Sequence, residues 1–204
     1  MKKTGKNSEN KLKIWESAAL AAICIVLCIG TWAQARQNAI SSDLVRLHVI
    51  AVSDEAGEQE IKLKVRDAVL DYLRPVLNNA ENSVQAKKII SDHLNGIAGA
   101  AAKASEGRGV KVSLGREHYP TKTYEGFSLP AGEYQSLKIV LGEGSGHNWW
   151  CIVFPPLCLE AAQAQQVQSV MAREDYAIVS DSEGYQLRFK LVELWGELMD
   201  KLNN

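Results

Sequence analysis

The chain has 204 residues, 46% of them hydrophobic and 23% charged, with a formal net charge of −1. That length is enough for one ordinary domain beyond a leader. No basic run occurs beyond the N-terminal leader, so nucleic acid is not an expected partner.

Lys2, Lys3, Lys6, Lys11 and Lys13 form that leader, and Ala18–Gly30 comes next as an uncharged apolar run. Ala33 and Ala35 then occupy the −3 and −1 positions of a small-residue cleavage site. Together these features read as a secretory signal peptide over residues 1–35. Extended through Trp32, the same run makes a marginal single span, so an uncleaved anchor is the alternative. In both readings the positive charge precedes the apolar run, and residues 36–204 leave the cytoplasm as one domain. Only the N-terminal segment is expected to touch a membrane. The exported part, 169 residues (204 − 35), carries 18 basic (23 − 5) and 22 acidic (24 − 2) side chains, about −4.

Leu44–Val52 has strand periodicity, with Val45, Leu47, Val49 and Ala51 alternating with Arg46, His48 and Ile50. The second face is not purely polar, which predicts a central strand covered on both sides. Ser53-Asp54-Glu55 then offers caps for a helix. Its apolar stripes are Ile61, Val65, Val69, Tyr72 and Val76, beside Leu63, Leu70 and Leu77. Lys62, Arg66 and Asp67 are expected on its wet side, and Pro75 in a kink or the final turns.

Asn82–Gln85 has the form of a capping box. A second helix is predicted over about Val84–Ala104, burying Ile89, Ile90, Leu94, Ile97 and Ala101, with Gly96 and Gly99 permitting close packing. From Gly109 the period falls to two, through Val110, Val112 and Leu114. Tyr134–Leu141 is a further strand, expected to pair with Trp149–Phe154 as a hairpin across Gly142–Asn148, whose glycines supply positive φ. Helical character returns over about Leu159–Arg173 and Leu187–Leu202, with Ala177–Val179 a short strand between them. The fold class is α+β: one domain, a mostly antiparallel sheet, three to four helices.

No HExxH or HxxxH pattern occurs, so no metal or cofactor is expected. The glycines at 142, 144 and 146 lack the Gly-Lys-Ser/Thr of a phosphate loop, and they lead into a strand pattern rather than a helix. No G-x-S-x-G elbow is present. His48 reads as a satisfied buried histidine and His93 as structural. The enzyme reading that remains is a Cys151/His147 thiol dyad in the cell envelope. Cys151 and Cys158 are the two cysteines beyond the leader. In an oxidising compartment they are candidates for a disulfide, with two buried thiols or one reactive thiol as alternatives. Trp149 and Trp150 are adjacent in a strand and point to opposite faces, so one can fill the core while the other anchors a protein partner, with both faces covered by helices as the alternative. His147 in its turn, and Arg116 and Tyr119 in the cluster Gly115–Pro120, complete the candidate partner-binding set, with capping of the turn by His147 and an internal Arg116–Glu117 network as the alternatives.

These motifs, in order, resemble the stage II sporulation protein R family of endospore-forming bacteria. The resemblance is carried by Val45-Arg46-Leu47-His48-Val49-Ile50-Ala51 with Ser53-Asp54, by Lys62–Val69, and by Gly115-Arg116-Glu117. Pro120–Tyr124, Leu129-Pro130-Ala131-Gly132 with Tyr134, Gly142–Cys158 and Leu187–Glu193 continue it. It covers about residues 43–202. The resemblance implies a non-catalytic signal, made in the forespore and exported to the space between the two sporulation membranes. Its implied partner is a membrane-embedded aspartic protease of the mother cell, which then removes the pro-sequence of sigma factor E.

Overall fold

A computed structural model describes residues 4–124, 127–155, 171 and 173–180. Strand β1 (Val45–Ile50) organises the domain. Its odd residues Val45, Leu47 and Val49 are fully buried on one face, and Arg46 and His48 are buried on the other. A strand covered on both faces belongs in the middle of a sheet.

The four-stranded sheet has the order β2-β5-β1-β6, with β2 at Val110–Tyr119, β5 at Gly132–Leu141 and β6 at Asn148–Phe154. Strand β1 pairs parallel to β5, Val45 opposite Gln135, and antiparallel to β6, Leu47 opposite Cys151. Strand β2 closes the other edge antiparallel to β5. The sheet is therefore mostly antiparallel and the fold is α+β. The expected β5–β6 hairpin does not form, because β1 lies between the two strands. Its twin buried faces claim the central position that the hairpin would have closed off.

The odd face of β1 packs under three helices. Helix α2 (Ala56–Leu77) comes after β1, then α3 (Ser83–Asp92) and α4 (Leu94–Ala104). Ile61, Val65, Val69 and Leu73, spaced by four, bury one stripe of α2 against Leu47, Leu137 and Ile139. Each such burial is worth about 1.5–3 kcal/mol. Leu73 takes a core place, while Leu63 stays half-buried. Pro75 sits in the last turn of α2.

The Asn82 cap forms as expected: its Oδ1 accepts from Gln85 N–H, and Gln85 Oε1 accepts from Glu81 N–H. The predicted helix over 84–104 is broken at His93, whose ring Nδ1 meets Tyr72 Oη at 2.9 Å. A Cβ on Gly96 would strike Tyr72 Oη, so α4 lies close against α2 there. Gly99 has open space and plays no such part.

The even face carries a second, smaller core. Tyr119, Tyr134 and Ile152 of the sheet meet Phe127 and Leu129 of a two-stranded β3–β4 ribbon (Lys122–Tyr124, Phe127–Leu129). Ile40 and Leu44 join them from the end of α1 (Thr4–Ser42) and the link to β1, as does Val179 from α5 (Arg173–Ser180). The expected strand at Ala177–Val179 is thus helical. Asp175 and Val179, four apart, share one buried face, and Asp175 pairs with Arg36 of α1 at 3.2 Å. The predicted helices over 159–173 and 187–202 lie, but for Met171 and Arg173, outside the described residues.

Candidate functional site

The sheet has two ends with different chemistry. At one, β1 runs out into Val52 and Ser53, and the 142–147 segment crosses above it to start β6. Gly142 and Gly144 there have φ of 56° and 67°, the left-handed turn geometry their glycines predict. Ser145 and Gly146 donate their N–H groups to the Val52 and Ala51 carbonyls. A Cβ on Gly146 would strike the Ser53 carbonyl oxygen. Gly146→Ala is therefore expected to cost about 1–3 kcal/mol in urea unfolding. Gly99→Ala, in open space on helix α4, should be neutral or slightly stabilising.

This packing fixes a polar cluster. Asp54 does not cap α2, whose N-cap is Glu55 with no side-chain hydrogen bond. Its carboxylate instead accepts from the His147 backbone N–H at 2.6 Å and pairs with the His147 ring. Lys62, expected on the wet side, is 4% exposed and donates from Nζ to the His147 carbonyl at 3.1 Å. Its position beside Ile61 and Val65 draws it under the loop. Burial holds its ammonium below the usual lysine range, Asp54 opposes that and Arg66 adds to it. Arg66 lies with its guanidinium 4.6 Å from the Trp149 ring centroid and is held there by Asp67 at 2.6 Å. Trp149 is 37% exposed among these groups.

Trp150 points the opposite way, as adjacent strand residues must, and is half-buried 5.6 Å from the His48 ring. Here lies a second network. Glu117 accepts from Lys138 at 2.7 Å and from Ser136 at 2.9 Å, and its other contact is His48 Nδ1 at 2.9 Å. His48 Nε2 lies 3.0 Å from Asn148 Oδ1, so His48 is the satisfied buried histidine the sequence predicted. Burial raises the Glu117 pKa, but the bonds from Lys138, His48 and Ser136 outweigh it and hold the carboxyl below its ordinary value.

Deeper on the same face, the buried Arg46 guanidinium lies 3.9 Å from the Tyr119 ring centroid and 4.8 Å from that of Tyr134. One nitrogen donates to Tyr124 Oη at 3.0 Å, and Nε and Nη1 have no hydrogen-bond partner among the described residues. Burial raises the pKa of Tyr119.

The candidate residues therefore separate. His147 and Trp149 share the exposed loop end. Arg116 is exposed on β2, 4.0 Å from Glu133 rather than paired with Glu117. Tyr119, expected at a partner surface, is fully buried with its hydroxyl on Ser136. A Tyr that ends an edge strand reads as free in the sequence, but the β3–β4 ribbon and the α1 terminus cover it. Cys151 is 6% exposed in the helix-side core, whereas the His147 ring is 75% exposed and turned to Asp54. The two do not form the dyad the sequence allowed. Cys158 lies outside the described residues. The sequence missed Asp54, Lys62 and Glu117 as organising groups. Only the spacing of Lys62 along the apolar stripe carried a signal.

Residues 41–164 match the family described as stage II sporulation protein R (spore_II_R). A curated relative, stage II sporulation protein R of Bacillus subtilis (strain 168), is 29% identical over 185 residues, spanning 78% of this chain and 83% of the relative. No solved structure matches. The matched residues run from the end of α1 through β6 and so take in every element that builds the two polar networks, and the chain belongs to the stage II sporulation protein R family.

Proposed function

We propose that the domain is an exported signal from the forespore which activates a membrane-embedded aspartic protease of the mother cell, leading to pro-sigma-E processing there. In this reading it is a protein ligand and not itself the catalyst. Family membership is the observation that carries the reading. The apolar N-terminal helix is consistent with a signal or membrane anchor, as delivery to the space between two membranes requires. The loop end bearing Trp149, His147 and Asp54 is the contact surface, with Trp149 as its aromatic anchor. Such a ligand shifts the protease only by binding its active state more tightly than its inactive one. Cys151 and Cys158 are joined as a disulfide that braces the end of β6.

The test is reconstitution in a bacterial host that does not sporulate. The host expresses the receptor protease, the pro-sigma substrate and this chain, and processing is read by immunoblot. Processing is expected only when this chain is present and exported. Cys151→Ser and Cys158→Ser are expected to act alike, each loosening the fold to a similar degree. Loss confined to Cys151→Ser, with the protein folded and exported, would favour a thiol enzyme instead. No processing with all three proteins present would overturn the signalling reading.

A further inference from the structure

We propose that α1 is retained as a membrane anchor that mounts the domain without a flexible linker, so that the Gly142–Trp149 end is held outermost. The helix is continuous from Thr4 to Ser42 and enters β1 within three residues. From Ser17 to Ala35 it carries no charged residue, about 19 residues or roughly 28 Å at ~1.5 Å per residue, near the ~30 Å of a hydrocarbon core. Trp15 lies just before that run and Trp32 near its end, both exposed, at the spacing of two interfacial aromatic belts. The five lysines precede it, as an anchor with a cytoplasmic N-terminus requires.

A signal sequence alone would explain the apolar run. The turns that continue the same helix past Ala35 are built into the domain. Arg36 pairs with Asp175, Gln37 packs on Gly132, and Gln37, Ile40 and Ser41 are buried. A Cβ on Gly132 would strike Gln37 Nε2. Ser83 Oγ donates to the Ser42 carbonyl, tying the same turn to the start of α3. Cleavage after Ala35 would cut inside a helix and leave a single residue ahead of the buried Gln37.

This mounting sets a direction. Helix α1 leaves the domain where β1 and β5 begin and β2 ends, at Gly132 and Tyr119. The Gly142–His147 segment lies at the opposite end of the strands. Six residues of β1 at ~3.3 Å each separate the two ends by roughly 20 Å. With the proposed function, on which only this consequence rests, the Trp149 surface faces across the gap toward the opposing membrane.

Two measurements test the inference, and neither uses the receptor. The intact mass of the exported full chain, recovered from a secreting host, is expected to retain residues 1–35, and the protein to fractionate with membranes. A soluble species beginning at Arg36 would overturn the anchor. The second uses the full chain in phosphatidylethanolamine/phosphatidylglycerol vesicles with a headgroup-attached quencher. A fluorescent noncanonical amino acid at Lys122 should be quenched severalfold more than one at Ser145. Equal quenching would overturn the fixed orientation while leaving the signalling reading untouched.

Discussion

Trp149→Ala is expected to reduce pro-sigma-E processing by at least tenfold in the reconstituted system while leaving the domain folded and exported. Trp149 is 37% exposed, and the Arg66 guanidinium over its ring contributes on the order of 0.5–1 kcal/mol, so truncation removes little from the fold. A buried aromatic anchor at an interface is worth about 2 kcal/mol or more, roughly thirtyfold in affinity. Trp150→Ala should behave in the opposite way. Its ring fills space beside His48 and Tyr119, so its loss should lower the unfolding midpoint and the amount of exported protein. Normal processing by a folded Trp149→Ala variant would remove Trp149 from the contact surface.

Glu117→Ala should be the most damaging polar substitution, at about 2–4 kcal/mol in urea unfolding at neutral pH. It strips three partners at once, leaving Ser136 with only Tyr119 Oη and the buried His48 ring with only Asn148 Oδ1. Lys138, 37% exposed, can turn to water and softens the loss. Glu117→Gln separates charge from shape. Because the folded-state pKa is lowered from 4.5, the carboxylate contributes stability above that value. That contribution disappears as pH falls through the folded pKa. The gap between wild type and Glu117→Gln should therefore be full at neutral pH and shrink below about 4.5. A gap that stays constant down to acid pH would mean the ionised form is not what the network needs.

The elements legible in the sequence were those whose pattern answers to one neighbour. Strand β1 announced its central place through Arg46 and His48 alternating inside an apolar run, and α2 through its four-residue stripe. Asn82 and the glycines at 142 and 144 did the same through local hydrogen bonding and φ. Illegible were the features that depend on distant segments. The 134–141 and 149–154 strands look like a hairpin until β1, some 90 residues earlier (135 − 45), is inserted between them. Tyr119 looks accessible because nothing near it in sequence hides it. Its cover comes from Ile40, Leu44, Phe127 and Val179. Asp54 reads as a cap because Ser-Asp-Glu before a helix usually supplies one, and His147 outcompetes the helix for it. Of the surface residues expected from sequence, Trp149, His147 and Arg116 are exposed, but only Trp149 and His147 share one end.

The placement of β1 also governs how the chain matures. Synthesis delivers it early, yet both strands that flank it arrive only with residues 132–154. Until then a six-residue apolar strand has two open edges, the state most prone to mispairing and proteolysis. Pairings between segments so far apart in the chain form slowly. Substitutions that weaken β5 or β6 pairing should therefore slow completion of the sheet before they alter the finished structure.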